Sequence, residues 1–314
     1  MNIIFMGTPE FALPSLEILL TTHHNISAVV TVPDKPQGRG LKISESPLKK
    51  FAVQNKLKIL QPDNLNDERF IEEMKSLTPD LMIVVAFRIL PIEVYSIPKF
   101  GTFNLHASLL PKYRGAAPIN WAIINGDKKT GVTTFFLRDK VDTGNIIMQN
   151  KCEITSEDDA GSLHDKLAVL GAKTVLSTVN LIEMTNGNVP VYQQDDSAAS
   201  KAPKIFKEFC KIDFNNAADK VYNFIRGLSP HPAAYTYREG KQIKIFKTHK
   251  FLKSILTNGT AKIPGQVIVQ EDRLFITCLD GYLEILELQL EGKKRMSASE
   301  FLRGHNLTTG EIWN

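Results

Sequence analysis

Asn104 and His106 stand two residues apart at the end of an apolar, strand-like run, Gly101-Thr102-Phe103-Asn104-Leu105-His106. On a strand, that spacing points both side chains to one side. Asp142 follows 36 residues after His106, in Val141-Asp142-Thr143-Gly144, at the far end of another strand-like segment. A carboxamide, an imidazole and a carboxylate suit acyl transfer to an amine. The amide N–H can hold a developing oxyanion. An imidazole of unperturbed pKa about 6.5 can take or relay the proton that the amine loses. A carboxylate can orient the ring and favour its charged form. A free α-amine, with pKa about 8, is its own nucleophile, so neither a covalent enzyme intermediate nor a metal is required. Taken singly, the same residues also read as a hydrogen-bonded structural histidine and an Asp-Thr-Gly turn. An aspartic-protease reading of that turn would need a second, paired carboxylate.

Such residues need a scaffold, and the first half of the chain predicts one. Short β-rich runs at Asn2–Met6, Ser27–Val32, Leu81–Val85, Thr102–Leu105 and Val132–Leu137 alternate with helical spacing at Ala12–Leu20 and Phe70–Leu77. Runs as continuously apolar as Leu81–Val85 fit a parallel sheet covered on both faces. The alternation predicts an open α/β sheet, whose sites lie outside the carboxyl ends of its strands. A long helix is predicted over Ala160–Met184, broken by Asn186-Gly187 and Pro190. The polar stretch Gln193–Pro203 reads as a connector. These signals place a catalytic domain at 1–189, a linker at 190–207 and a second domain at 208–314. Beyond the linker, a helix at Ala217–Ile225 closes at Gly227 and Pro230. Short alternating strands then follow near Tyr235–Tyr237, Ile243–Phe246, Gln266–Val269, Leu274–Cys278 and Leu283–Leu288, predicting a small β-barrel.

Charge separates the two parts. Residues 1–200 carry 20 Lys and Arg against 22 Asp and Glu, whereas residues 201–314 carry 18 against 12. The basic C-terminal part suits a polyanion, or else it has a lysine-rich solvated face. Lys241, Lys244, Lys247, Lys250 and Lys253 are the strip that such a partner would follow. Three widely spaced cysteines (Cys152, Cys210 and Cys278) suit neither a disulfide framework nor a metal knot. The N-terminus lacks signal-peptide features, and no apolar run approaches the roughly 18 residues that cross a bilayer, so the reading is cytoplasmic.

The segment from Asn104 resembles the formyltransferase superfamily, whose motif is Asn, a His two residues on, Ser-Leu-Leu-Pro, and a downstream Asp in Asp-Thr-Gly. The resemblance implies a Rossmann-like open, mostly parallel sheet followed by a small OB-like barrel. It implies that Asn104 and His106 are catalytic with Asp142 as their partner. Ser108, Leu109, Leu110 and Pro111 would form part of a folate-binding wall, with Phe87, Arg88, Ile89, Leu90 and Val141 enclosing the pterin. One departure stands out. The family usually reads Val-Val-Ala-Tyr-Gly-x-Ile-Leu-Pro, but here Val84-Val85-Ala86-Phe87-Arg88-Ile89-Leu90-Pro91 is one residue shorter and carries Arg88 at the glycine.

Three further segments resemble the branch of the family that formylates charged initiator tRNA. They are Phe5–Ala12, the long basic insertion Pro33–Ala52, and the C-terminal part with Pro230-His231-Pro232-Ala233-Ala234. The opening turn has one glycine and lacks the Gly-x-Gly-x-x-Gly of a dinucleotide site. The insertion reads as a loop, and the resemblance makes it the element that enters the acceptor end, with Arg39 as the best single candidate for tRNA contact. Lys35, Lys42 and Arg114, with Lys244 and Lys247 in the C-terminal part, complete the candidate tRNA contacts. The function implied is transfer of the formyl group of 10-formyltetrahydrofolate to the α-amine of methionyl initiator tRNA, by a monomer, without metal or membrane. The alternatives are formylation of a small amine such as an amino sugar, formyl-folate hydrolysis, or a non-catalytic tRNA-binding protein.

Overall fold

The computed structural model describes residues 1–37, 42–251 and 263–314. Along the chain run β1 (Asn2–Gly7), α1 (Leu13–Leu20), β2 (Asn25–Val30), β3 (Lys35–Gln37), β4 (Lys42–Ser44), α2 (Pro47–Gln54), β5 (Ile59–Leu60) and α3 (Glu68–Ser76). Next come β6 (Leu81–Val85), α4 (Ile92–Tyr95), β7 (Thr102–His106), α5 (Pro118–Ile124), β8 (Lys129–Phe136), β9 (Ile146–Glu153) and α6 (Ala160–Met184). The remainder holds α7 (Ala218–Leu228), β10 (Ala234–Arg238), β11 (Lys241–Phe251), β12 (Val267–Gln270), β13 (Arg273–Thr277), β14 (Tyr282–Leu290), β15 (Met296–Ser297) and α8 (Ala298–Gly304).

The chain forms two compact units. One comprises Met1–Ala116, Thr130–Glu153 and His164–Ala202; the other comprises Ala117–Lys129, Ile154–Leu163 and Pro203–Asn314. This differs from a single cut at 190–207. The stretch up to Ala202 stays with the first unit because its backbone bonds to the loop after β7. The α5 segment belongs with the second because it packs on α7: Asn120 donates to the Gly227 carbonyl at 2.8 Å. That contact also explains why α7 does not stop before Gly227. A β-carbon there would sit 2.6 Å from Ile124 Cγ1, so the glycine serves a close helix crossing rather than a helix end.

In the first unit a seven-stranded sheet has the order β5-β2-β1-β6-β7-β8-β9. Strands β5, β2, β1, β6 and β7 run parallel, and β8 is antiparallel to β7. Every residue of β6 is buried, as expected of a strand covered on both faces. The edge strand β9 escaped the sequence reading because past its first two residues it alternates half-buried and exposed positions. The insertion after β2 is not simply a loop. It holds the hairpin β3–β4, then α2, whose start is set by Ser46: its hydroxyl accepts from the Lys49 amide at 3.0 Å ahead of Pro47.

At 25 residues α6 has the length and hydropathy of a membrane span, contrary to the expectation that no run comes near it. Leu163, Leu167, Val175, Val179 and Ile182 on it are nonetheless fully buried in the protein, and Thr178 meets Thr134 of β8 at 2.8 Å. The second unit is an antiparallel sheet, β10-β11-β14-β13-β12 with β15 on β14. Val221, Ile225 and Leu228 of α7 pack into its core with Ile243, Ile245, Leu283, Phe301 and Trp313. All three cysteines are free.

Candidate active site

Strand β7 ends on His106, and the pairing Val84↔Asn104 and Val85↔Leu105 sets its carboxyl end beside that of β6. Asn104 is half-buried, and among the described residues its carboxamide has no hydrogen-bond partner. His106 is 6% exposed, with its two ring nitrogens in different surroundings. Nε2 lies 2.8 Å from the Tyr113 carbonyl, an acceptor only, so Nε2 carries the hydrogen. In the neutral ring Nδ1 then holds the free lone pair. Asp142 Oδ2 lies 3.8 Å from Nδ1, too far for a hydrogen bond. The sequence reading brought these three residues together, and so does the fold.

Asp142 occupies a left-handed turn, with φ of 56°, and its Oδ2 accepts from the Gly115 amide at 2.9 Å. Gly115 is required where it stands: φ is 125°, and a β-carbon would lie 2.6 Å from the Ala202 carbonyl. The loop from Ser108 to Gly115 is pinned along its length. The Ser108 hydroxyl donates to the Lys112 carbonyl at 2.6 Å, and Thr133 of β8 donates to the Ser108 carbonyl at 2.7 Å and accepts from the Leu110 amide at 3.1 Å. Gln149 of β9 donates to the Leu110 carbonyl at 2.8 Å. Tyr113 donates its amide to the Ser200 hydroxyl at 2.9 Å, and Arg114 pairs its backbone with Ser200 and Ala202.

Gln194, 7% exposed, joins this loop to the Asp142 turn. Its Nε2 donates to the Asp142 carbonyl at 2.9 Å and the Gly144 carbonyl at 2.8 Å, while its Oε1 accepts from Arg114 at 3.1 and 2.7 Å. Sequence reading missed Thr133, Gln194 and Ser200. The polar run Gln193–Pro203 was read as a linker, and nothing in its composition separates a connector from a clamp. Arg114, expected at tRNA, has its guanidinium on Gln194 and on Asp196 at 2.7 Å. It holds the loop. Of the expected folate wall, Ser108 and Leu110 are buried, Leu110 against Phe135 and Ile146, and only Leu109 and Pro111 keep partial exposure.

The loop after β6 is of another kind. Phe87 and Leu90 pack on the core, Ile89 is 75% exposed, and Val141 of the Asp142 turn is 51% exposed. Arg88 is half-buried. It donates to the Pro62 carbonyl at 2.7 Å and the Asp63 carbonyl at 3.0 Å, and its charge lies 5.2 Å from the Phe87 ring centroid. Burial pushes its guanidinium below the usual arginine value, partly offset by Asp63. Asp63–Asn66 and Arg88–Pro91 line an open cleft of about 420 Å³, a size that small-molecule pockets share. Arg88 is thus a wall of the cleft rather than a free surface side chain.

The basic candidates lie elsewhere. Lys35 is exposed on β3, Lys42 begins β4, and Arg39 lies outside the described residues. Lys49 is not available as a loop cation, because it pairs with Asp34 and, at 3.1 Å, with Glu45. On β11 Lys244 is half-buried and Lys247 exposed, while Lys250 pairs with Asp219 at 2.7 Å. Lys253 lies outside the described residues.

Comparison with known proteins gives the family. Residues 1–179 match the formyl transferase family, and residues 204–306 match the formyl transferase C-terminal domain. Methionyl-tRNA formyltransferase of Bacteroides thetaiotaomicron is 46% identical over all of this chain and 98% of its own length. The enzyme of the same name from Flavobacterium johnsoniae is 48% identical over 97% of this chain and 96% of its own. Among solved structures, the sugar 3N-formyl transferase WlaRD shares the fold at a TM-score of 0.66 and 22% identity, over 94% of this chain and 99% of its own. HypX from Aquifex aeolicus, solved with tetrahydrofolic acid, does so at 0.64 and 18%, over 96% of this chain and 47% of its own.

Proposed function

The chain belongs to the formyl transferase family, and we infer that it moves the formyl group of 10-formyltetrahydrofolate onto the α-amine of methionyl initiator tRNA. One observation carries the chemistry: at the carboxyl end of β7, two residues past Asn104, whose carboxamide has no hydrogen-bond partner among the described residues, a buried His106 of fixed tautomer has Nδ1 3.8 Å from Asp142. The folate supplies the activated formyl carbon. The amine nitrogen bonds to that carbon, the carbon's bond to the folate nitrogen breaks, and one proton passes from the amine to that nitrogen. Asn104 donates to the formyl oxygen as negative charge gathers on it. His106 Nδ1, the nitrogen without a hydrogen, receives the proton, and Asp142 favours the resulting imidazolium.

The cleft at Asp63–Asn66 and Arg88–Pro91 takes the pterin, with Ile89 and Val141 as its apolar cover. Initiator recognition falls to the insertion Pro33–Ala52, which carries Lys35, Arg39 and Lys42, and to Lys244 and Lys247 of the second unit, and the enzyme works in the cytoplasm. The reading is tested by formyl transfer to charged initiator and elongator methionyl-tRNAs side by side. Formylation of the initiator alone is expected. Folate turnover with neither tRNA formylated would move the acceptor to a small amine or water.

A further inference from the structure

Asp142 and His106 do not hydrogen-bond to each other, so their 3.8 Å separation is set by what holds each of them from behind. His106 is held through the Tyr113 carbonyl, and Asp142 through the Gly115 amide at its carboxylate and through its own carbonyl. One side chain links the Asp142 turn to Arg114, the residue between Tyr113 and Gly115. The Gln194 amide has two N–H donors and two lone pairs, and all four are engaged: two carbonyls of the Asp142 turn on the nitrogen, two Arg114 nitrogens on the oxygen. That arrangement also fixes which end of the amide is which, since a carbonyl cannot donate and a guanidinium cannot accept. Arg114 lies between Tyr113, whose carbonyl meets His106, and Gly115, whose amide meets Asp142. Resting on the catalytic reading above, we propose that Gln194 is a positioning residue for formyl transfer: it sets the distance between Asp142 and His106 Nδ1 by clamping the Asp142 turn to the loop of Tyr113–Gly115.

The clamp suits this site. Asp142 stands in a left-handed conformation, which an aspartate adopts more readily than most residues other than glycine. Its carbonyl accepts from Gln194, and among the described residues no backbone amide donates to it. A carboxylate held near but not bonded to the ring leaves Nδ1 free to accept a proton from the substrate and favours the charge afterwards. Slackening the clamp would let Asp142 close onto Nδ1 or swing away, and either movement changes proton transfer without removing any group that touches substrate.

The test uses the full-length enzyme with Gln194→Met, which keeps length and burial but no hydrogen bond, and Gln194→Glu, which keeps the acceptor for Arg114 but loses both donors. His106→Ala runs in the same assay. Both Gln194 variants are expected to lose about 10–100-fold in kcat, the scale of a misplaced catalytic group, with folate KM little changed. The pH profile of kcat should be displaced, which a merely structural role would not do. Adding Arg114→Met to Gln194→Met should cost little more, because the link is already gone. If Gln194→Met does not fold, Arg114→Met alone decides, with a smaller kcat loss and the same displaced profile. Wild-type kcat and an unmoved profile in the folded variants, with His106→Ala inactive, would overturn the clamp and leave the catalytic reading intact. Active His106→Ala would overturn that reading itself.

Discussion

Two loops leave neighbouring strands of one sheet and are built on opposite principles. The loop after β7, from Ser108 to Gly115, has its backbone bonded to Thr133, Gln149, Ser200 and Ala202. The loop after β6, from Ala86 to Pro91, borders an open cleft, turns Ile89 outward, and is tied to the 62–63 backbone by one arginine whose Nε is buried without a partner. Acyl transfer needs donors and a base fixed before the charge develops, because a preorganised group spends no energy turning at the transition state. A cleft that admits and releases a flat ligand needs apolar surface and room. In the proposed reading, rigidity serves the chemistry and openness serves binding.

The comparison breaks most sharply at Gly115. Gly115→Ala puts a β-carbon against the Ala202 carbonyl at a φ of 125°, and should cost about 1–3 kcal/mol of strain and displace the amide that holds Asp142. Activity should fall by at least about 100-fold, the scale of a misplacement near 1 Å, together with the thermal midpoint. Thr133→Val comes next. It deletes the hydroxyl that serves the Ser108 carbonyl, the Leu110 amide and Gln149, at a cost of about 1–3 kcal/mol for buried groups left unpaired. Denaturant unfolding should show that loss, and kcat should fall more than KM changes.

On the open side, Arg88→Met removes two hydrogen bonds to the 62–63 backbone. At about 1 kcal/mol of lost cleft order it should raise folate KM roughly fivefold with kcat unchanged, as steady-state kinetics would show. The smallest effect belongs to a control at the start of β2, which His24 precedes. Burial holds His24 below its usual value against the opposing pull of Glu183. The unfolded chain therefore binds the extra proton first, and stability is lost as pH falls from about 6.5 toward the folded value. The thermal midpoint should drop between pH 7.5 and 5.5, and His24→Leu should narrow that gap while kcat stays the same.

The central strands were legible in the sequence because a doubly covered parallel sheet writes itself as unbroken apolar runs, and β6 was located to the residue. So was α6, whose helical spacing persists over 25 residues. The edge strand β9 was not, since its alternation is that of any exposed segment. Asn104, His106 and Asp142 were legible as types and order. What the sequence could not display is the support behind them. Gln194 and Ser200 lie in a polar run with no periodicity, and they act on backbone groups, which leave no residue code at the other end. Arg114 shows the same: its sequence context displays a cation in a loop, and its partners Gln194 and Asp196 come into view only in the fold.

The division of labour between the two loops is tested most directly by steady-state formyl transfer in Asn104→Ala and Ile89→Ala, measured together with folate varied and initiator methionyl-tRNA saturating. Asn104→Ala should lose about 10²–10³-fold in kcat with folate KM nearly unchanged, while Ile89→Ala should keep kcat and raise folate KM. Near-normal kcat in Asn104→Ala, or a kcat loss in Ile89→Ala with KM untouched, would contradict the assignment of chemistry to the pinned loop and binding to the open one.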